Sequence, residues 1–281
     1  MKTLNEIKNY TINKFREAKL INYQEEMLMI ISHSMNLSKI DILTESNIKI
    51  SKDKYSEIKE KINRRILGEP TAQILGFRNF LDEKYFVDKN VLIPRFETEE
   101  IIDLFKINES VNDKDGVNFL DIGTGSGVIA INIKKKFPEI NVSAIDISEK
   151  ALVVAKKNAI AKKVNINFFH TSIENCDLSN INYIISNPPY IKTSKLKNLS
   201  KDLTYEPIIA LDGGKDGTKI INLIFNWESK INNNNASLII LEIDPEIKDK
   251  VLSLAKSYYP NNKIKIHKDL NYSDRFISIT E

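Results

Sequence analysis

The sequence is poor in the features that most often announce a function. Its 281 residues hold one cysteine, Cys176, and three histidines. A disulfide framework needs paired cysteines and a multi-cysteine metal site needs several, so both are excluded and no metal is expected. No window reaches the ~18 apolar residues of a membrane span. The N-terminal stretch carries Glu6 and Glu17 among its lysines and lacks an apolar segment, so no secretory or transit leader is expected. An excess of one charge is missing too, with 41 Lys+Arg against 38 Asp+Glu and a net charge of +3. The largest basic cluster is Lys134-Lys135-Lys136, which reads as a solvated helix face; a general nucleic-acid binder would cluster far more. A cytoplasmic protein, taken as a monomer, with no membrane and no stable nucleic-acid partner is the expectation. The Asn232 to Asn235 run reads as compositional bias.

What is present falls into three parts. Residues 1–70 read as a small helical bundle, because Leu4, Ile7, Thr11, Phe15 and Ala18 recur at helical spacing, as do Tyr23, Met27, Ile30 and Ile31, then Tyr55, Ile58, Ile62 and Ile66. Ser51 and Asp53 start the last of these helices, and Gly68 with Pro70 stops it. Residues 71–94 carry short aromatic and β-branched runs and read as a hairpin linker. From 95 to 281 a helix opens with Glu97, Glu99 and Glu100, acids that suit its N-terminal dipole. Strand-like and helix-like segments then alternate, with strands expected at 117–122, 141–146, 165–169, 181–186, 236–243, 263–267 and 275–280. Alternation of that kind makes a doubly wound α/β sheet, mostly parallel, whose last two strands close as an antiparallel pair.

Two loops carry chemistry. The first expected strand runs into Gly123-Thr124-Gly125-Ser126-Gly127, where glycines let the backbone turn sharply and approach a ligand. A dinucleotide loop would place its third glycine three residues past Gly125, where Val128 stands; here it comes one residue early. Asp146 ends the second strand, placed to accept both hydroxyls of a ribose. A ribose without a pyrophosphate points to S-adenosylmethionine. The fourth strand runs into Asn187-Pro188-Pro189-Tyr190. Residues before proline are held extended, so the Asn187 side-chain carbonyl and the Pro188 backbone carbonyl become directed acceptors, with Tyr190 as a flat face. Such a clamp suits the NH2 group of a carboxamide or of adenine. In a doubly wound sheet both loops lie at the switch point and face one crevice.

With Gly68-Glu69-Pro70, Ile74-Leu75-Gly76, Leu92-Ile93-Pro94-Arg95, Glu97-Thr98-Glu99, Glu206-Pro207 and Leu241-Glu242-Ile243 added to the two loops, the chain resembles the release factor glutamine methyltransferases over nearly its whole length. The resemblance implies a class I S-adenosylmethionine-dependent methyltransferase fold and methyl transfer to the side-chain amide of the glutamine in a release factor's Gly-Gly-Gln motif. It implies that Gly123 to Gly127 wrap the methionine end of the donor and Asp146 its ribose. Ser172 and Ile173 lie against the adenine, and Asn187 touches donor and acceptor. Asn187, Pro188, Pro189 and Tyr190 hold the glutamine, Asn187, Pro188 and Tyr190 acting in catalysis, with Arg95 among the substrate contacts. The front bundle would recognise the release factor. Phe96, Ser172, Asp244 and Asn271 depart from the family's usual residues, and Ser172 leaves the adenine amine to the backbone. Two rivals share the chemistry, an adenine-N6 methyltransferase on DNA or RNA and a glutamine methyltransferase acting on a ribosomal protein; a non-catalytic donor-binding module is a third reading.

Overall fold

The computed structural model describes residues 2–107, 116–232 and 236–281. Asn233, Asn234 and Asn235 of the asparagine run lie outside the described residues. The chain divides into two compact units, Met1–Phe77 with Ser200–Tyr205, and Arg78–Leu199 with Glu206–Glu281. The boundary therefore falls inside the expected linker, and residues 200–205 go with the front unit, a return that local periodicity cannot reveal.

The first unit holds helices α1 (Leu4–Glu17), α2 (Tyr23–Met35), α3 (Lys39–Thr44), α4 (Lys52–Ile66) and α5 (Thr71–Leu75). The expected stripes meet in one core of Leu4, Ile7, Phe15, Met27, Ile30, Ile31, Ile58 and Ile62. Thr3 and Glu6 close a capping box at the start of α1, and Ser51 caps α4 by accepting from the Lys54 N–H at 3.2 Å. Two features depart from the expectation of helices alone. Strands β1 (Lys2–Thr3) and β2 (Lys49–Ile50) pair antiparallel, and 71–75 is helical where a hairpin was expected. Arg65 of α4 is buried, its guanidinium shared between the carboxylates of Glu26 and Asp202.

In the second part of the chain β3 (Phe77–Phe80) and β4 (Glu83–Phe86) make the hairpin, turned by Leu81 and Asp82, both at positive φ. Helix α6 (Phe96–Ile107) leads to the main sheet. Its strands are β5 (Asn118–Ile122), β6 (Asn141–Asp146), β7 (Asn167–His170), β8 (Tyr183–Ser186), β9 (Leu238–Glu242), β10 (Lys263–Lys268) and β11 (Asp274–Thr280). All seven fall within two residues of the expected positions. Between them lie α7 (Val128–Lys136), α8 (Glu149–Lys162), α9 (Lys219–Lys230) and α10 (Lys248–Tyr258). The order is β10-β11-β9-β8-β5-β6-β7, parallel except for β11 against its two neighbours.

Helices cover both faces, so the central strands are apolar on both sides. Phe119, Tyr183, Ile185 and Ile240 point into one core, and their strand neighbours Leu120, Ile184, Ile239 and Leu241 into the other. Strand β5 lies between β6 and β8, and Ile122 is in register with Ser186. The chain direction of connection reverses there, so the loops after Ile122 and Ser186 leave from adjacent strand ends, as the expected crevice requires.

Candidate active site

At the β5 end the loop is shaped by backbone conformation. Gly123, Gly125 and Gly127 have φ of 70°, 55° and 82°, a region where side chains are strained. The Gly123 and Thr124 N–H groups donate to the Ile145 carbonyl of β6 at 2.9 and 3.0 Å. Asp146 then braces the loop from below. Its Oδ2 accepts from the Gly125 N–H at 2.9 Å and its Oδ1 from the Ser148 N–H at 2.8 Å. A carboxylate has about four lone-pair sites, so acceptor capacity remains for two hydroxyls. Burial raises the Asp146 carboxyl above its ordinary range, against the pull of those two N–H groups.

Beneath the loop is a second acid that the sequence reading passed over as a strand end. Asp121 is fully buried; its Oδ2 accepts from the Thr124 hydroxyl at 2.6 Å and the Ala130 N–H at 3.2 Å, while Oδ1 has no protein partner. Burial pushes it up to about 7, opposed by those hydrogen bonds and aided by the charge of Asp146. Asn158, buried in α8, was also missed. Its amide nitrogen donates to the Ser126 and Phe86 carbonyls at 2.8 and 3.0 Å, tying loop to hairpin.

The loop opens on a cavity of about 500 Å³ within the second unit, a volume typical of small-ligand sites. Gly123, Thr124, Gly125, Ser126, Asp146, Ser172, Ile173, Thr98, Asn187 and Pro189 all line it. The glycine loop and two residues of the Asn187–Tyr190 stretch, Asn187 and Pro189, thus line one cavity. Four expected site residues stand behind the lining. Gly127 is packed against α8, where a Cβ would come within 3.1 Å of the Ala155 Cβ; its glycine serves helix approach. Pro188 is buried. Tyr190, expected as a stacking face, packs on the β9 side of the core with its hydroxyl on Glu242. Arg95 is paired with buried Glu206 at 2.6 Å, and Glu206 also accepts from the Ile93 N–H at 2.9 Å, so this arginine pins the chain before α6.

Around Asn187 the site is built from side chains. Asn187 Nδ2 donates to Thr98 Oγ1 at 3.1 Å, and Thr98 donates to Glu242 Oε2 at 2.7 Å. Tyr190 donates to the other oxygen, Oε1, at 3.3 Å. Glu242 is pushed up to about 7 by burial, with the Thr98 hydrogen bond and Arg275 pulling it down and Glu97 raising it. Behind Tyr190 sits Gly213, where a Cβ would lie 2.6 Å from the Tyr190 Cα and 2.8 Å from the Pro189 carbonyl oxygen. The residues that depart from the family pattern bear on loops. Phe96 is exposed beneath the Arg78 guanidinium at 4.1 Å, Asp244 caps the turn at 245–247, and the Asn271 N–H donates to Asp269. Ser172 lines the cavity wall.

Among the described residues, no group of three or more His, Cys, Asp or Glu could hold a metal ion, and no helix is long and apolar enough to cross a membrane. Residues 107–211 match the methyltransferase small domain family and residues 6–76 the PrmC N-terminal domain. A release factor glutamine methyltransferase of Rhodopirellula baltica is 31% identical over 287 residues, covering 99% of this chain and 96% of its own length. One from Flavobacterium psychrophilum is 30% identical, with 97% and 98% covered. A bifunctional methyltransferase of Rickettsia prowazekii is 33% identical over 91% of this chain, which spans 53% of that longer protein. The solved hMettl16 catalytic domain, in complex with the MAT2A 3'UTR hairpin 6, superposes with a TM-score of 0.53 at 11% identity, covering 84% of each chain; it attests the fold.

Proposed function

Because the chain belongs to the release factor glutamine methyltransferases, we propose that it transfers a methyl group from S-adenosylmethionine to the side-chain amide nitrogen of the Gly-Gly-Gln glutamine in peptide chain release factors. The observation that supports this reading is the shared cavity, which Gly123 to Ser126, Asp146 and Asn187 all line. The donor supplies a sulfonium methyl already activated toward nucleophiles. A largely apolar cavity with Asp146 beside a glycine-rich turn fits that molecule. Asp146 would accept the ribose hydroxyls, the open backbone of Gly123 to Ser126 would receive the methionine end, and Ile173 with the Ser172 backbone would flank the adenine.

An amide nitrogen is a weak nucleophile, because its lone pair is delocalised into the carbonyl. The protein's task is then to position it: holding nitrogen and methyl carbon ~3 to 3.5 Å apart and in line can supply much of the acceleration. Asn187, with its oxygen free of the Thr98 contact, would accept from the glutamine NH2 and orient it; the proton leaves after transfer. Among the described residues nothing beside Asn187 is poised as a strong base: Glu242 does not line the cavity, and its two oxygens accept from Thr98 and Tyr190. The front bundle, matched to the PrmC N-terminal domain, would recognise the release factor. The protein would act as a monomer in the cytoplasm, where its substrate works. Transfer of labelled methyl to a purified release factor tests the reading. We expect label on the wild-type factor, none when its Gly-Gly-Gln glutamine is replaced, and no competition from adenine-containing DNA; label on the DNA would overturn it.

A further inference from the structure

A primary amide has two ends of nearly equal size and opposite hydrogen-bonding character, so a clamp that uses asparagine must fix which end faces its guest. Behind Asn187 the structure contains a device that does so. Above pH about 7, where Glu242 is ionised, its carboxylate only accepts hydrogen bonds, and a hydroxyl has a single proton to give. Thr98 spends that proton on Glu242, at 2.7 Å. Toward Asn187, 3.1 Å away, the Thr98 oxygen can therefore only accept, and the sole donor on an asparagine side chain is Nδ2. The second carboxylate oxygen of Glu242 is occupied by the Tyr190 hydroxyl, which holds the carboxylate from its other side. Thr98 is 3% exposed and Glu242 1%, so solvent has little access with which to reverse the direction of the chain.

We propose that Thr98 and Glu242 are positioning residues that fix the polarity of the Asn187 amide, turning its carbonyl oxygen to the acceptor and so selecting a carboxamide over a carboxylate of the same shape. The inference rests on the glutamine-methylating reading above. A glutamine NH2 meets the Asn187 oxygen as donor to acceptor. A glutamate in the same place puts two acceptors face to face, and the hydrogen bond left unmade counts against it. Roughly 10- to 100-fold discrimination follows from that one contact. With the relay removed, Asn187 is free to turn its Nδ2 outward, which welcomes the carboxylate and repels the amide.

The test uses the full-length protein, S-adenosylmethionine, a release factor as substrate, and the same factor with its Gly-Gly-Gln glutamine changed to glutamate as a competitive inhibitor. Thr98→Val keeps the side chain's shape and removes the hydroxyl; Thr98→Ser keeps the hydroxyl. We expect Thr98→Val to lower kcat about 10- to 100-fold, to leave the KM for the donor within about threefold, and to let the glutamate factor inhibit about tenfold better relative to the glutamine factor's KM. Thr98→Ser restores most of the turnover and the discrimination. Glu242→Gln, which can donate as well as accept, retains the shape of the relay but loosens its direction, and discrimination narrows even if Thr98→Val folds poorly. Unchanged discrimination in Glu242→Gln, or equal losses in the two Thr98 variants, would overturn the proposal. Absence of any methyl transfer by the wild-type protein would instead overturn the reading on which it rests.

Discussion

Two parts of the cavity lining, the glycine loop and the surroundings of Asn187, are made of different material. At the glycine loop the backbone does the shaping: three glycines at positive φ, N–H groups spent on Ile145, and Asp146 bracing Gly125 and Ser148. Around Asn187 three side chains, Asn187, Thr98 and Glu242, hold one another in a directed chain. Backbone can wrap a ligand that is always the same, whatever the protein partner. Side chains can set donor and acceptor polarity, which a substrate-selecting site needs. Both parts bury an acid, Asp121 under the loop and Glu242 under the clamp, each pushed up to about 7 by burial.

If the two parts are separable in this way, damage to them should separate in the kinetics. Asn187→Ala should show the largest effect, a loss of at least about 100-fold in single-turnover transfer, comparable to removing one positioned polar group from a transition state. Equilibrium binding of the donor should change by no more than about threefold. Asp146→Ala should give the reverse: donor Kd raised roughly 10- to 100-fold through lost charge-assisted hydrogen bonds, with a far smaller fall in turnover at saturating donor. Titration calorimetry with the donor product, run beside rapid-quench assays, reads both.

A glycine contrast sharpens the same point. Gly213→Ala places a Cβ against the backbone of Pro189 and Tyr190, which cannot yield without moving the clamp. Its melting temperature should drop by several degrees and its turnover about tenfold, while donor affinity holds. Gly76→Ala meets no atom within 4 Å and carries only the strain of φ 77°, so its cost should be about 1 kcal/mol with no kinetic signature.

The smallest effect is on stability against pH. Asp121 and Glu242 keep their protons in the folded state up to about 7, whereas the unfolded chain releases them near the ordinary carboxyl range. The folded state therefore binds more protons in between, and stability should fall as pH rises from about 4.5 to 7. Denaturant midpoints measured across that window should decline in the wild type and flatten in Asp121→Asn and Glu242→Gln; a wild-type rise would contradict the assignment. Protonated on Oε2, Glu242 would donate to Thr98 and release the direction of the relay. Discrimination between glutamine and glutamate factors should accordingly weaken below pH 7 in the wild type and lose its pH dependence in Glu242→Gln. Glu97, Thr98, Tyr190 and Arg275 are the groups that act on it.

The glycine loop and the sheet were legible in the sequence because their signals are local. Glycines spaced for a turn, an acid ending the next strand, and apolar runs separated by helical stripes are each read within a few residues. Asn187 announced itself through the prolines that follow it. Its partners did not. Thr98 sits among Glu97, Glu99 and Glu100, where a polar residue reads as part of a helix start, and it meets Glu242 across 144 positions of chain. Glu242 ends an otherwise apolar strand and looks like a strand terminus; Asp121 looked the same. Asn158 is one of several polar residues in its helix, with nothing nearby to mark it as a tie between loop and hairpin. The resemblance implies a ligand contact for Arg95, and the Asn-Pro-Pro-Tyr motif one for Tyr190, whereas long-range partners, Glu206 and Glu242, hold both outside the lining.

The most direct measurement is a crystal structure of the protein with S-adenosylhomocysteine and a peptide carrying Gly-Gly-Gln. We predict the glutamine NH2 within hydrogen-bonding distance of Asn187 Oδ1, its nitrogen facing the donor sulfur, and Asn187 Nδ2 still on Thr98. A glutamine bound elsewhere, or an Asn187 amide presenting Nδ2 to the peptide, would contradict it.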